Sequence, residues 1–409
     1  MTTEATAQPQ RARKRIAVVM GTRPEAIKMA PVVHALRARD DLFETIVVAT
    51  AQHRHMLDQV LAIFRITPDV DLDLMQPNQS LSELAARVLT TMDRTLRDLQ
   101  PDLLMVQGDT TTVFATSVAA FHLQIPVAHV EAGLRSHDLR NPFPEEMNRR
   151  LTSVVTGIHL APTPLARREL LRENVPAEQI VVTGNTVVDA LHQLLEQPFD
   201  RRGTALEGIP FAGHRLMVVT SHRRESWGQD LENTCHALRQ LVDRFPDLLV
   251  VYPVHLNPNV RKTVMTILAD APRIHLTEPL DYAAFVNLMR DCHLILSDSG
   301  GVQEEAPTLR KPLLVLRKLT ERPEAFQAGL SKVVGNSLDA IVGEASRLLE
   351  DEAAYRSMVS DANPFGDGRA AERITRALER WSQGRTPMLQ PDEEFGPQTS
   401  LPTPAQTVA

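Results

Sequence analysis

Short apolar runs alternate with helix-like segments along most of this 409-residue chain, and the alternation restricts its fold more than any other feature. Strand–helix alternation at this spacing predicts parallel β-sheets joined by right-handed crossover helices. Strands are predicted at 16–20, 45–49, 103–107, 127–130, 180–183, 215–220, 248–252, 273–276, 293–297 and 312–316. Helices are predicted at 25–38, 53–64, 80–98, 111–122, 229–244, 281–291 and 338–350.

The alternation starts afresh near Gly213, after a Gly- and Pro-containing stretch at 198–213. A chain of this length is also too long for one typical hydrophobic core. We therefore expect an α/β protein made of two Rossmann-like, parallel-sheet halves that face each other across a cleft. The polar residues before about 15 and the Pro-, Gln- and Thr-rich tail from about Gly384 are expected to be disordered.

Composition and charge narrow the classes of function. With 44 Lys and Arg against 51 Asp and Glu, the net charge of −7 argues against a general polyanion binder. Aromatic residues make up only 4% of the chain, which argues against a base-stacking nucleic-acid surface. The two cysteines, Cys235 and Cys292, have no metal-ligand spacing, and no apolar run reaches the ~18 residues of a membrane span. We expect a cytoplasmic protein that binds neither nucleic acid nor membrane.

The turn after the first predicted strand differs from the common nucleotide fingerprints. It reads Gly-Thr-Arg-Pro-Glu at 21–25, and neither a GxGxxG nor a Walker A pattern is present. Arg23 and Lys28, at the start of the following helix, are candidates for holding a phosphate, although a capped helix with exposed cations is the alternative. His53 and His55 lack thiol or carboxylate partners nearby in the sequence, so no metal is expected there. The motifs taken together imply no redox cofactor.

Three carboxylates between Gly108 and Arg149 form the main candidate site. Asp109 and Glu131 each follow a predicted buried strand, and Glu145 lies in a Pro-flanked loop. Ligands bind at the carboxyl ends of strands in open α/β sheets, and acids gathered there are suited to acid–base catalysis. A helix cap and ordinary surface charges are the alternative for any one of them taken alone.

The second half contains a candidate anion site. A predicted strand leads into Ser299-Gly300-Gly301 and then a helix with Glu305, so bare backbone N–H groups can approach a phosphate. A small-residue turn without function is the alternative. Arg322, after the 312–316 strand, is placed to assist. His222 follows the 215–220 strand beside two arginines and is a candidate proton donor or anion ligand, with a structural histidine as the alternative.

A collinear series of motifs from about residue 16 to 368 resembles that of a known family, the bacterial non-hydrolysing UDP-N-acetylglucosamine 2-epimerases. The motifs are GTRPEAIKMAP (21–31), AQHRHMLDQVL (51–61), GDTTT (108–112), HVEAGLR (129–135), PFPEEMNR (142–149), GNTVVDAL (184–191), HRRES (222–226), YPVHLNPNV (252–260), SDSGGVQEEAP (297–307) and TERPEA (320–325).

The resemblance implies a GT-B architecture with Rossmann-like domains at 15–185 and 186–368. It also implies a helix at 369–383 that returns to the first domain, with disordered ends at 1–14 and 384–409. The implied enzyme is an isomerase that interconverts UDP-GlcNAc and UDP-ManNAc without a cofactor, for cell-surface polysaccharide precursors. UDP is eliminated anti across carbons 1 and 2 of the sugar, and the resulting 2-acetamidoglucal is protonated from the other face as UDP re-adds.

The same resemblance implies roles for residues, a homodimer, and a second UDP-GlcNAc bound as an activator. The implied catalytic residues are Asp109, Glu131, Glu145 and His222. The implied UDP-binding residues are Arg23, Lys28, Phe285, Ser299, Gly300, Gly301, Glu305 and Arg322. The implied activator-site residues are Gln52, His53, Arg223 and His255.

Other activities remain open from the sequence. A hydrolysing relative would release UDP and free ManNAc, and a modified UDP-amino sugar could replace UDP-GlcNAc as the substrate. A glycosyltransferase or a silent nucleotide-sugar sensor is less favoured, because three strand-end carboxylates exceed what a transferase with one base requires.

Overall fold

The computed structural model describes residues 13–50, 54–76, 79–221, 223, 227–318, 320 and 322–396. They form two compact units. Unit 1 comprises the chain up to Thr186 together with Arg369–Phe395, and unit 2 comprises Val187–Gly368. The expected His222, Gln52 and His53 lie outside the described residues, as do residues 1–12.

Unit 1 is built on a parallel sheet, which has seven strands among the described residues. The strands are β1 (Lys14–Met20), β2 (Phe43–Ala49), β3 (Val70–Asp71), β4 (Leu103–Gln107), β5 (Val127–Val130), β6 (Ile158–Ala161) and β7 (Ile180–Val182). Their order is β3-β2-β1-β4-β5-β6-β7, with every pair parallel. The central strands β4 and β5 are buried along their whole length, as expected for a sheet covered on both faces.

Helices cover both faces of this sheet. They are α1 (Arg23–Arg37), α2 (Arg54–Ile63), α3 (Leu81–Leu99), α4 (Thr111–His122), α5 (Glu145–Val155) and α6 (Pro164–Arg172), and a short 3₁₀ helix spans Ala177–Gln179. Several begin at a side-chain cap. The Ser80 hydroxyl accepts a hydrogen bond from the Glu83 N–H, and Thr110 does the same for Val113 at the start of α4.

Unit 2 repeats the design with a parallel sheet of order β10-β9-β8-β11-β12-β13 among its described residues. Its strands are β8 (Arg215–Thr220), β9 (Leu248–Pro253), β10 (Ile274–Thr277), β11 (Leu294–Ser297), β12 (Leu313–Val315) and β13 (Ser331–Val333). Its helices are α7 (Thr186–Leu195), α8 (Gln229–Arg244), α9 (Pro258–Leu268), α10 (Tyr282–Asp291), α11 (Gly300–Thr308), α12 (Pro323–Gln327), α13 (Leu338–Glu350) and α14 (Glu352–Ser357). The prediction of two Rossmann-like parallel-sheet domains is confirmed.

The chain then returns to unit 1 through α15 (Ala370–Ser382), which packs against α1. The prediction of a disordered tail from residue 384 is wrong for residues 384–396. Met388 and Leu389 are buried, and the Phe395 N–H donates to the Val182 carbonyl at 2.8 Å. Glu394 accepts from the Val182 N–H at 3.2 Å and pairs with Arg167 at 2.6 Å. The few apolar residues of 384–396, together with Glu394, therefore anchor this polar segment along the edge strand β7.

Three strands were not predicted, namely β3, β6 and β13. The first has two residues, and the other two carry a polar residue (His159 in β6, Lys332 in β13) that interrupts the apolar run. Glu145 was predicted in a loop, but it is the first residue of α5. Lys14 was placed in a disordered terminus, but it opens β1. Among the described residues, no helix combines the length and the apolar content that crossing a membrane requires.

Candidate active site

The sheet of unit 1 brings two of the predicted carboxylates to one edge. Strands β4 and β5 are parallel neighbours, and their last residues, Gln107 and Val130, are paired in register. Asp109 lies two residues beyond β4, and Glu131 lies directly beyond β5. Because carboxyl ends of parallel strands meet at one edge, the predicted juxtaposition of Asp109 and Glu131 follows from the register.

Glu131 is held in a buried ion pair. Its Oε2 lies 2.6 Å from the Nζ of Lys28 on α1, and both side chains are almost fully buried. The side-chain amide of Gln107 also donates to this oxygen. Glu131 itself has a φ of +65°, a left-handed conformation that is uncommon for a residue other than Gly. Such conformations concentrate at functional sites. Lys28, expected at a phosphate, therefore contacts a catalytic candidate.

Asp109 is paired with an arginine on α5. The Nη2 of Arg149 lies 2.7 Å from Asp109 Oδ2, and Arg149 also pairs with the fully buried Glu146 at 3.5 Å. The amide of Asn148 donates to the Asp109 carbonyl at 3.0 Å. Asp109 is partly exposed, whereas its partners on α5 are buried. Helix α5 therefore fixes an accessible carboxylate from its buried side. The sequence interpretation gave no role to Arg149, whose i+3 spacing from Glu146 was the available signal.

Two buried histidines lie on neighbouring strands of the sheet, and one of them contacts the loop that carries Asp109. His129 and His159 are register partners on β5 and β6. Burial lowers the pKa of His129 to about 4. Burial also lowers the pKa of His159, to about 3, and repulsion from the positive charge of a protonated His129 contributes to that shift. His129 Nε2 lies 2.7 Å from the Gly108 carbonyl oxygen. Since a carbonyl only accepts, this nitrogen carries the proton, and the neutral ring anchors the loop.

A buried glutamate connects the first turn of the sheet to the same loop. Glu25 Oε2 accepts from the backbone N–H groups of Gly21 at 2.6 Å and Thr22 at 3.1 Å. Its Oε1 accepts from the Thr110 hydroxyl at 2.8 Å. Burial raises the pKa of the Glu25 carboxyl, and these donors offset the effect in part. The N–H groups of Gly21 and Thr22, next to the phosphate candidate Arg23, therefore donate to Glu25.

In unit 2, the turn between β11 and α11 has the geometry of an anion site. Ser299 is the N-cap of α11, and Gly300 and Gly301 are its first two residues. An added Cβ at Gly301 would lie no closer than 3.9 Å to another group, the Ser299 hydroxyl, so the approach to its backbone is open. Two hydrogen bonds of the Ser297 hydroxyl stabilise the turn. This hydroxyl accepts from the Ser299 N–H at 3.0 Å and contacts the Thr220 hydroxyl at 2.6 Å.

The remaining nucleotide candidates lie on neighbouring elements of unit 2. Glu305 on α11 accepts from the Tyr282 hydroxyl at 3.1 Å, and Phe285 is one turn further along α10. Arg322, at the N-cap of α12, donates to the buried Glu304 at 2.5 Å. The tyrosine and Glu304 had no predicted role. Both fix the orientation of a candidate ligand group.

Two of the activator-site candidates belong to the described chain. The Arg223 N–H donates to the buried Asp298 at 2.9 Å, as does the Ser221 hydroxyl at 3.1 Å. His255 Nδ1 accepts from the Asn257 N–H at 3.2 Å. The described part of the chain contains no group of three or more His, Cys, Asp or Glu side chains arranged to hold a metal ion.

Comparison with known proteins gives a consistent result. The family model described as UDP-N-acetylglucosamine 2-epimerase matches residues 34–379. The UDP-N-acetylglucosamine 2-epimerase of Salmonella typhimurium is 50% identical over 372 residues, which cover 90% of this chain and 99% of that protein. The crystal structure of UDP-GlcNAc 2-epimerase from Neisseria meningitidis, bound to UDP-GlcNAc, is 45% identical with a TM-score of 0.84, covering 90% of this chain and all of that one. The UDP co-structure of S. aureus MnaA is 44% identical with a TM-score of 0.86, covering 94% and 100%.

Proposed function

This chain belongs to the UDP-N-acetylglucosamine 2-epimerase family of carbohydrate isomerases, and from that premise we propose that it interconverts UDP-GlcNAc and UDP-ManNAc without hydrolysis. The observation that carries the proposal is the pair of carboxylates at one sheet edge, Asp109 and Glu131, each held by a buried cation. Relatives about 50% identical carry the epimerase name, and a structure 45% identical holds UDP-GlcNAc.

The first half of the reaction removes a proton from carbon 2 of the sugar while the C1–O bond to UDP breaks. The electron pair of the C–H bond becomes the second bond between carbons 1 and 2, and UDP takes the electrons of the C1–O bond. Carbon 2 is not adjacent to a ring carbonyl, so departure of UDP has to assist loss of the proton. Asp109, Glu131 and Glu145 supply the carboxylates for this step and for its reverse.

The second half returns a proton to the opposite face of carbon 2 as a UDP oxygen attacks carbon 1. A carboxyl group on each face satisfies this requirement, and no oxidant or reductant is consumed. UDP has to remain bound after the first half of the reaction until the second half is complete. We assign this to Arg23, Phe285, Ser299, Gly300, Gly301, Glu305 and Arg322, with His222 at the glycosidic phosphate.

Tight retention of the diphosphate is therefore part of catalysis as well as of binding. The N-terminus of α11 offers N–H groups and the positive end of its dipole, and Arg322 adds a fixed cation on a neighbouring element. Since Glu304 already orients the guanidinium, little ordering remains to be done when UDP binds.

The proposal is tested by NMR of the enzyme with UDP-GlcNAc in heavy water. We expect UDP-ManNAc to accumulate to an equilibrium mixture, with deuterium at carbon 2 of both sugars. Asp109→Asn, Glu131→Gln and Glu145→Gln should each lower turnover by at least ~100-fold, the low end for loss of acid–base help. Free ManNAc with UDP would show hydrolysis instead. Near-normal rates in all three variants would refute the site assignment.

We also propose that the chain forms a homodimer through an apolar surface on α4 and α5. Met147, Leu151 and Val154 share one face of α5 at i, i+4, i+7 spacing and are exposed, Val154 by 80%. Phe121 on the neighbouring α4 is 58% exposed. The opposite face of α5 carries the buried Glu146 and the other polar residues of the site, so the apolar surface cannot be the core-facing side. A second copy of the chain is the occupant we assign to it.

Light scattering after size exclusion measures this assembly. Wild type should have twice the 45.5 kDa mass of one chain, whereas Val154→Lys should be monomeric and folded. Met265→Lys, at an exposed apolar position of α9 in unit 2, is the control and should remain dimeric. A monomeric wild type, or a dimeric Val154→Lys, would contradict the assignment.

A second UDP-GlcNAc bound as an activator is also proposed, with Gln52, His53, Arg223 and His255 as its residues. Its support is the motif resemblance. Sigmoidal dependence of the rate on UDP-GlcNAc that becomes hyperbolic in His255→Ala is the expected result. A hyperbolic wild type would remove the need for this site.

A further inference from the structure

Glu25 makes more contacts than its helix requires. Its position as third residue of α1 is typical of a capping box, in which a glutamate accepts from the N-cap N–H. Glu83 performs that task in α3, where it is exposed and accepts from the backbone N–H and the hydroxyl of Ser80. Glu25 is buried, and its second oxygen accepts from Thr110, 85 residues away along the chain.

Thr110 makes two hydrogen bonds in the candidate site. Its hydroxyl oxygen accepts from the Val113 N–H and thereby caps α4, so its single proton is free to donate to Glu25. Thr110 directly follows Asp109. The bond between Glu25 and Thr110 therefore connects the turn after β1 with the loop after β4, at the edge where the Asp109 side chain is partly exposed.

We propose that Glu25 is a positioning residue, which holds the Asp109 carboxylate in its reactive place through Thr110. The inference rests on the proposed catalytic role of Asp109. Hydrogen bonds from three donors fix the Glu25 carboxyl group, which makes it a rigid point of attachment. His129 and Asn148 hold the two preceding carbonyl groups of the same loop, so Thr110 supplies the third of three successive anchors.

The physical consequence is a loss of rate without a comparable loss of binding. A displacement of about 1 Å in a catalytic group costs up to ~100-fold in rate. A purely structural role would instead lower stability and leave the rate per folded molecule unchanged. The two roles are therefore separated by kcat and KM measured on folded protein, together with the unfolding midpoint.

The experiment uses Glu25→Gln and Thr110→Val, which weaken the contact from either side. Thr110→Ser keeps the hydroxyl, and Glu83→Gln is the matched capping-box control outside the site. We expect kcat to fall ~10-fold or more in the first two variants, with KM changed less than ~3-fold. The two controls should stay within ~2-fold of wild type. The full-length chain is assayed by deuterium incorporation at carbon 2, which detects slow turnover.

The same substitutions are then placed in an Asp109→Asn background. If Glu25 acts through Asp109, each substitution loses most of its effect on kcat there. Undiminished effects in that background, or an unchanged kcat in both folded single variants, would overturn the inference. The rate of Asp109→Asn alone is read first, because a near-normal value would refute the catalytic role of Asp109 and this inference together.

Discussion

Acid should unfold unit 1 through the buried pair His129 and His159. The ordinary pKa of both groups is 6.5, and in the folded protein the values are about 4 and about 3. A depressed pKa means that the unfolded chain binds protons more readily. The stability contributed by the neutral rings is therefore complete above pH 6.5 and is lost as the pH falls from 6.5 towards 4 and 3.

The size of the effect follows from these values. Near pH 5 the unfolded chain holds both imidazoles protonated while the folded chain holds neither, which costs about 2 kcal/mol for each ring and about 4 kcal/mol for the pair. Near pH 5, each ring adds close to the slope of a whole proton, about 1.4 kcal/mol per pH unit. That loss is comparable to a large part of the stability of an ordinary domain.

The assay is urea unfolding at a series of pH values, followed by tryptophan fluorescence. The chain has two tryptophans, so Trp227→Phe leaves Trp381 on α15 as a reporter of unit 1 alone. In this background, His159→Leu should reduce the slope by about 1.4 kcal/mol per pH unit, since one titrating ring is removed. His122→Gln, at an exposed position of α4, is the control. An unchanged slope in His159→Leu would refute the reasoning.

Four further outcomes are expected. Gly133→Ala should lower the unfolding free energy by about 3 kcal/mol or more, because φ is +94° and a Cβ would lie 2.4 Å from the Ala166 carbonyl oxygen. Gly108→Ala, with φ +81° and nothing within 4 Å, should cost only about 1 kcal/mol in the same urea titration. A chain ending at Gly384 should lose about 3 kcal/mol from unit 1, since two buried apolar side chains and the contacts to β7 go with it. Lys28→Met should destabilise the chain by about 3 kcal/mol, measured likewise, and Lys28→Arg by less, because the methionine leaves buried Glu131 without this cation.

The parts of the fold that the sequence predicted share a strong local signal. Strands such as β4 and β5 are unbroken apolar runs, and their carboxyl ends are followed at once by Asp109 and Glu131. Parallel pairing then brings the two acids to one edge without further information. In contrast, β6 carries His159 in its interior, and that ring is tolerated only because burial keeps it neutral. No short window of sequence contains that fact.

The unpredicted parts of the site depend on contacts distant in sequence. Lys28 meets Glu131 across 103 positions, and Glu25 meets Thr110 across 85. In the sequence, Lys28 was interpreted as a candidate for holding a phosphate, and Glu25 was given no role. The interpretation of Lys28 used neighbours along the chain, whereas the sheet order β1-β4-β5 supplies the actual partners of both residues.

Helix α5 carries most of the Asp109 contacts, yet the sequence pattern did not predict it, and its polarity explains why. A surface helix normally turns its apolar face inward. In α5 the pattern is reversed, since Glu146, Asn148 and Arg149 are buried while Leu151 and Val154 are exposed. The inward polar face is required by Asp109, which needs both the Arg149 guanidinium and the Asn148 amide. The outward apolar face is the surface to which we propose that a second copy binds. The two faces of α5 thus carry the proposed catalytic contacts and the proposed dimer surface, and substitutions on each face should separate the two roles: Val154→Lys should alter mass, and Arg149→Lys should lower kcat while leaving the dimer intact.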